Sequence, residues 1–224
     1  MWRNVLYGFL VAMTCGMFVA CSDNSGPVGP GDNDPIVYDT PDAVIEAFTD
    51  IWNDMDFPEY RDYLLYDGET PAADRETYTA FKFYFIVPDD QYGASWGFAE
   101  EKEHTERLFS GSDALDGSPG VKTITLHLSP ITTWEAPANP YEVEGDTYPE
   151  GTQVRRYQTD LSIELKGTNN DGYSGYEVND HVDFFVIPVD VDGSTEYRLW
   201  KWRDIGNGFL RTEDSSWSSV KALY

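Results

Sequence analysis

TPDAVIEAFTDIWNDMDFPEYRDYLLYDG, residues 40–68, carries helix-start signals, an apolar stripe and a turn in succession. Thr40 can cap a helix, Pro41 suits its first position and Asp42 its positive end, so three start signals stand in a row. Val44, Ala47, Phe48, Ile51, Trp52 and Met55 then recur at three- and four-residue spacing, which draws one apolar stripe along an amphipathic helix. The turn NDMDFP ends it. PEYRDYLLYDG then predicts a second short helix closing at Asp67-Gly68.

Toward the C-terminus the period changes. TYTAFKFYFIV is aromatic and predicts a strand; FAEEKEHTERLF predicts a helix with Phe98, Thr105, Leu108 and Phe109 on its packed face. His104 lies amid EEKEHTER, which places it on the solvated side. VKTITLHLSPITTWEA alternates Ile124, Leu126 and Leu128 against Thr123, Thr125 and His127, and QTDLSIELKG alternates Leu161, Ile163 and Leu165 against Ser162 and Glu164. Both are strands with one wet face. HVDFFVIPVDVDGSTEYRLWKWRDIG supplies two more, joined around Asp192-Gly193, a strong hairpin signal. Helices first and antiparallel strands after them predict an α+β fold, with the long N-terminal helix and short helices packed on a curved antiparallel sheet.

Toward the N-terminus the pattern is one of address. MWRNVLYGFLVAMTCGMFVACS has a basic start at Arg3, an apolar run through Val19 and small Ala20 before Cys21. That is signal-peptide grammar, and the run is shorter than the roughly 20 apolar residues of a membrane span. The segment resembles a bacterial lipoprotein signal, with Phe18, Val19, Ala20 and Cys21 in the lipobox places and Phe18 departing from the usual leucine. Cys15, behind Thr14, fits that pattern poorly. Cleavage before Cys21 leaves a single cysteine, which allows neither an internal disulfide nor a multi-cysteine zinc site. Cys21 is therefore read as a lipidation site, the alternative being ordinary secretion. Each buried acyl CH₂ contributes about 0.8 kcal/mol to membrane attachment. By the same resemblance Ser22, in place of Asp, favours the outer membrane of the cell envelope where an organism has one.

SDNSGPVGPGDNDP holds almost nothing to bury and reads as a disordered spacer. The expected organisation is a signal peptide over residues 1–20, a lipidated linker over 21–38, and one domain over 39–224. The net charge of −25 disfavours nucleic acid and anionic headgroups. The expected partners are the membrane, through acyl chains, and either a small apolar ligand or an envelope protein.

The stretch 40–68, together with YRLWKWRDIG and SSWSSVKALY near the C-terminus, resembles nuclear transport factor 2-like domains, including lipid-anchored bacterial members. The resemblance covers nearly all of residues 39–224 and implies a cone-shaped sheet around a long helix, with an open end for a pocket. The family includes isomerases, dehydratases, polyketide cyclases and members without catalysis, so the resemblance leaves function open.

Enzymes on such a fold place Asp, Glu, Tyr or His inside the cone, because an apolar cavity moves their pKa values toward neutrality. The candidates are Tyr63, Tyr84, His104, His181 and Asp183. His181 and Asp183 stand two apart on a strand and so share a face; an acid/base pair and an ordinary polar face both fit that spacing. Trp96, Trp134, Trp200, Trp202 and Trp217 can form a ring-lined pocket or pack a core. By strand periodicity Trp200 and Trp202 share a face. DVDG and NNDG lack the full calcium-loop pattern and predict turns, and the three histidines are too scattered for a zinc motif. No metal or cofactor is expected. The sequence thus supports a non-catalytic binding domain of the envelope or, as the alternative, a proton-transfer enzyme using the cone.

Overall fold

The computed structural model describes residues 38–89, 93–138, 148–205 and 216–224. Helix α1 spans Pro41–Asp54, with Thr40 Oγ1 accepting from the Ala43 amide at 3.1 Å as the cap signals predict. It ends at Met55, whose left-handed φ of 54° turns the chain. Helix α2, Phe57–Glu59, runs into a π-helical turn over Tyr60–Leu64. That second helix closes earlier than Asp67-Gly68, because Leu65 leaves it to bridge Leu199 on the sheet. Asp67 instead accepts from the Glu69 and Thr70 amides in a turn.

Six strands follow: β1 Lys82–Asp89, β2 Gly93–Gly97, β3 Val121–Pro130, β4 Gln153–Leu165, β5 Gly175–Val191 and β6 Ser194–Asp204. Helix α3, Phe98–Ser110, lies between β2 and β3, and α4, Trp217–Lys221, comes last. The sheet order is β2-β1-β6-β5-β4-β3, and only the β1/β6 pair is parallel. The fold is α+β, as expected. Strand β2 is an edge strand that begins and ends on glycine and carries no alternating signal. The β5/β6 hairpin turns at Asp192 and Gly193 with φ of 52° and 84°, the positive values for which Asp-Gly is suited. NNDG also forms a turn, in which Asn169 Oδ1 accepts from the Asp171 and Tyr173 amides.

The two faces of the sheet differ. One face takes α1 and α3, and its core includes Val44, Phe48, Trp52, Leu126, Leu161, Val182, Phe184 and Trp202. On the other face Tyr66, Val154, Phe185, Ile187, Val189 and Trp200 form a second cluster. Residues 66–81 cover part of it, tied down by Ala73 N to Pro188 O at 3.0 Å and Trp200 Nε1 to Thr79 O at 2.7 Å. The rest of that face is polar: Gln158 bonds Asn179, Asn179 bonds Asp160, and Ser162 bonds Glu177.

Tyr38, which the sequence places in the linker, belongs to the folded unit. It is fully buried, and its hydroxyl donates to Glu59 Oε1 at 2.6 Å. The signal peptide, Cys21 and the spacer to residue 37 lie outside the described residues. Among the described residues no helix is long and apolar enough to cross a membrane.

Candidate functional site

The helix-bearing face is filled with rings. Trp217 stands edge-on to Trp52 and Trp202, at centroid distances of 4.7 and 4.6 Å, and Phe48 meets Trp202 at 5.2 Å and Phe184 at 5.0 Å. Edge-to-face contacts set the positive rim of one ring on the negative face of the next.

Within this apolar packing sits a buried charge pair. Helix α3 presents Glu101, His104, Thr105, Leu108 and Phe109 to the core. Glu101 stands in the first turn, where the helix dipole favours a carboxylate. Its Oε1 accepts from Tyr60 Oη at 2.5 Å, from Thr105 Oγ1 at 3.1 Å and from Lys221 Nζ; its Oε2 accepts from Trp96 Nε1 at 2.8 Å. Four donors nearly exhaust what one carboxylate can accept. Lys221, on α4, holds its ammonium 3.8 Å from the Trp202 ring centroid and 4.5 Å from that of Phe83, with Trp52 and Trp96 within 6 Å. Glu101 and Lys221 are both essentially inaccessible to solvent.

Burial dominates the titration here. It pulls Lys221 from the ordinary 10.5 down to about 8, while Glu101 and Asp204 act the other way. Burial and the neighbouring Glu101 push the Tyr60 phenol well up. Burial also lowers His104, whose ring stacks on Trp96 at 4.4 Å and 13°. His104 is thus a core residue and not one of the solvated face: the helix packs Phe98, Glu101, Thr105 and Leu108 on one stripe, and His104 falls within it.

The residues singled out from the sequence are dispersed. His181 and Asp183 share the outer face, as their spacing predicts, but they take different neighbours. Asp183 pairs with Arg156 through two bonds of 2.8 and 3.0 Å, and His181 Nε2 meets Gln158 Oε1 at 2.8 Å. A pocket of about 260 Å³ beside this pair is lined by Phe85, Arg156, Arg203, Asp204 and Ile205. Tyr84 is buried near Lys201, whose ammonium lies 4.2 Å from the Trp200 ring and 5.7 Å from that of Tyr84. Tyr63 is exposed. Trp134 donates to Asp42 at the start of α1. Trp96 and Trp202 are in the core, around the Glu101–Lys221 pair.

Trp200 and Trp202 do not share a face. The register of β5 and β6 slips between Phe185 and Val186, pairing Phe185 with Lys201 and Val186 with Leu199, so Trp200 has no opposite number. This extra residue is a β-bulge, and it shifts the alternation by one. Glu101, Lys221 and Tyr60 were not among the sequence candidates. The available signal was Glu101 lying three residues after Phe98 and four before Thr105, a charge within an apolar stripe.

The long first helix on one face of a six-stranded sheet is the layer plan the sequence resemblance implies. The fold is α+β. No family model matches the chain, and no curated protein matches it. Solved structures with a similar course include a proposed aromatic ring hydroxylase from Novosphingobium aromaticivorans, 12% identical over 80% of this chain and 92% of that one, with a TM-score of 0.45. Another is a proposed dehydratase of the NTF2-like family from Streptomyces avermitilis, 10% identical over 72% and 90%, with a TM-score of 0.41. A third is an uncharacterised protein with a cystatin-like fold from Caulobacter vibrioides, 14% identical over 73% and 84%, with a TM-score of 0.36.

Proposed function

We propose that this chain is a lipid-anchored protein of the bacterial cell envelope whose domain binds an envelope partner and does not catalyse. The observation that carries the non-catalytic reading is the state of Glu101. A general base must reach a substrate proton, whereas both oxygens of Glu101 are taken up by Tyr60, Thr105, Trp96 and Lys221 inside a ring-filled core. The anchor rests on the sequence Phe18-Val19-Ala20-Cys21 and the polar spacer behind it. One observation favours the alternative, a proton-transfer enzyme: Glu101, Tyr60, Lys221 and His104 are groups of the right kind in a low-dielectric setting.

Two measurements test the reading. Wild type and Cys21→Ser are labelled in the host with an alkynyl fatty acid and fractionated; label and membrane retention are expected for wild type only, and a Cys21→Ser protein that stays in the membrane overturns the anchor. Native mass spectra of the full mature protein, released from detergent micelles, should show no small molecule bound to the lipidated chain. A reproducible small-molecule mass lost on denaturation would mean that the interior opens to a ligand, and would return the enzyme reading.

A further inference from the structure

The interior around Lys221 has the composition of a cation receptor. The ammonium lies close over Trp202 and Phe83, with Trp52 and Trp96 farther out, and Glu101 supplies the counter-charge. Ring faces attract cations, most strongly when water is excluded, and all five of these residues are buried. Without Lys221, a carboxylate held by Tyr60, Thr105 and Trp96 remains in a dry cavity, an unpaired buried charge that draws a cation or a proton.

The geometry selects among cations. The Lys221 ammonium meets Glu101 through Oε1, while Oε2 holds Trp96 Nε1, so the place it fills faces one carboxylate oxygen. A guanidinium pairs best through two parallel bonds to both oxygens, while an ammonium is a compact point donor. A quaternary ammonium has no N–H to give. The volume is that of the lysine stem beyond Cβ, three carbons and a nitrogen. A folded protein offering its own lysine would need the place of α4, whose Trp217 packs between Trp52 and Trp202; a free amine needs only the stem's space.

We propose that Glu101 and the Trp202, Phe83, Trp52 and Trp96 rings form a binding site for a free primary alkylammonium, which this chain fills in cis with Lys221. The proposal deepens the reading of the interior as occupied by the chain itself and is independent of the lipid anchor. It is also separable from that reading by experiment, since an extra native mass on wild type would overturn the filled interior without bearing on which cation the box prefers.

The test is chemical rescue in the full chain. Lys221→Ala vacates the stem and should lower the Tm. n-Propylammonium chloride should raise that Tm in a saturable way, with half-saturation on the order of 1–100 mM, the range open to a ligand of four non-hydrogen atoms. 1-Propanol, methylguanidinium and tetramethylammonium at the same concentrations and ionic strength should raise it far less. Wild type, its site occupied in cis at high effective concentration, should not respond. Glu101→Gln added to Lys221→Ala should abolish the rescue. If Lys221→Ala does not fold in buffer, the readout becomes the folded fraction recovered by near-UV circular dichroism when refolding is done in each solute. Equal effects of n-propylammonium and 1-propanol would show a merely apolar void and overturn the proposal, as would no recovery with n-propylammonium in either format.

Discussion

Trp200 and Trp202, two residues apart on one strand, project to opposite faces of the sheet. The bulge at Trp200 between Phe185 and Val186 is the cause. Trp202 packs against Phe48, Trp52, Phe83 and Trp217, while Trp200 packs on Tyr148 and donates to Thr79 O. Trp202→Ala should therefore cost about 3–5 kcal/mol and deprotect α1 and α4 in hydrogen exchange. Trp200→Ala should instead deprotect residues 66–81 and leave α1 protected. If both variants deprotect the same peptides, the two-face assignment is wrong.

The Glu101–Lys221 pair should behave as one unit. Glu101→Gln or Lys221→Met alone leaves a buried charge without its partner, at a cost of about 3–5 kcal/mol. The double variant removes both charges and should recover part of the loss, giving a coupling of at least about 1 kcal/mol in a urea-denaturation cycle. Additive losses would mean that the two charges do not interact.

Lys221 sets a pH dependence on the alkaline side. Its folded-state pKa of about 8 lies below the ordinary 10.5. Below pH 8 both folded and unfolded chains carry the proton, and the penalty for the buried charge is constant. Between pH 8 and 10.5 the unfolded chain holds more protons, so stability from this group rises with pH, by up to about 1.4 kcal/mol per pH unit. Tyr38, Tyr60, Tyr157 and Tyr224, all raised by burial, act in the opposite direction above about pH 10. The stability difference between wild type and Lys221→Met, followed from pH 8 to 10, isolates the lysine: it should shift in favour of wild type, and a flat difference refutes the assignment.

His104 gives the acid counterpart. Burial lowers its folded pKa below 6.5, so on acidification the unfolded chain takes up the proton first and stability falls as pH drops through and below 6.5. In His104→Phe that component should be absent. Urea midpoints of both proteins between pH 5 and 7 decide it, and parallel curves would place the acid sensitivity elsewhere.

Much of the fold was legible in short-range pattern. The cap at Thr40 and Pro41, the stripe from Val44 to Trp52, the alternation in β3 and β4 and the Asp192-Gly193 turn each encode their element locally. Strand β2 and helix α4 were not predicted. GASWG has no alternation to display, and Trp217–Lys221 is too short for a helical period to stand out; both are held by what they pack on. The candidate site was the least legible part, because Glu101 and Lys221 are 120 residues apart.

Short-range pattern and composition encode the α+β order of elements, the net charge of −25 and the lipobox-like Cys21 that motivates the envelope reading. These are properties of composition and of periods a few residues long. Long-range packing sets which face each tryptophan serves, buries His104 and gathers Tyr60, Thr105, Trp96 and Lys221 around one carboxylate. The physical reason is that a bulge shifts side-chain alternation through the pairing of two strands, and a buried charge is tolerated only where distant segments bring its partners together.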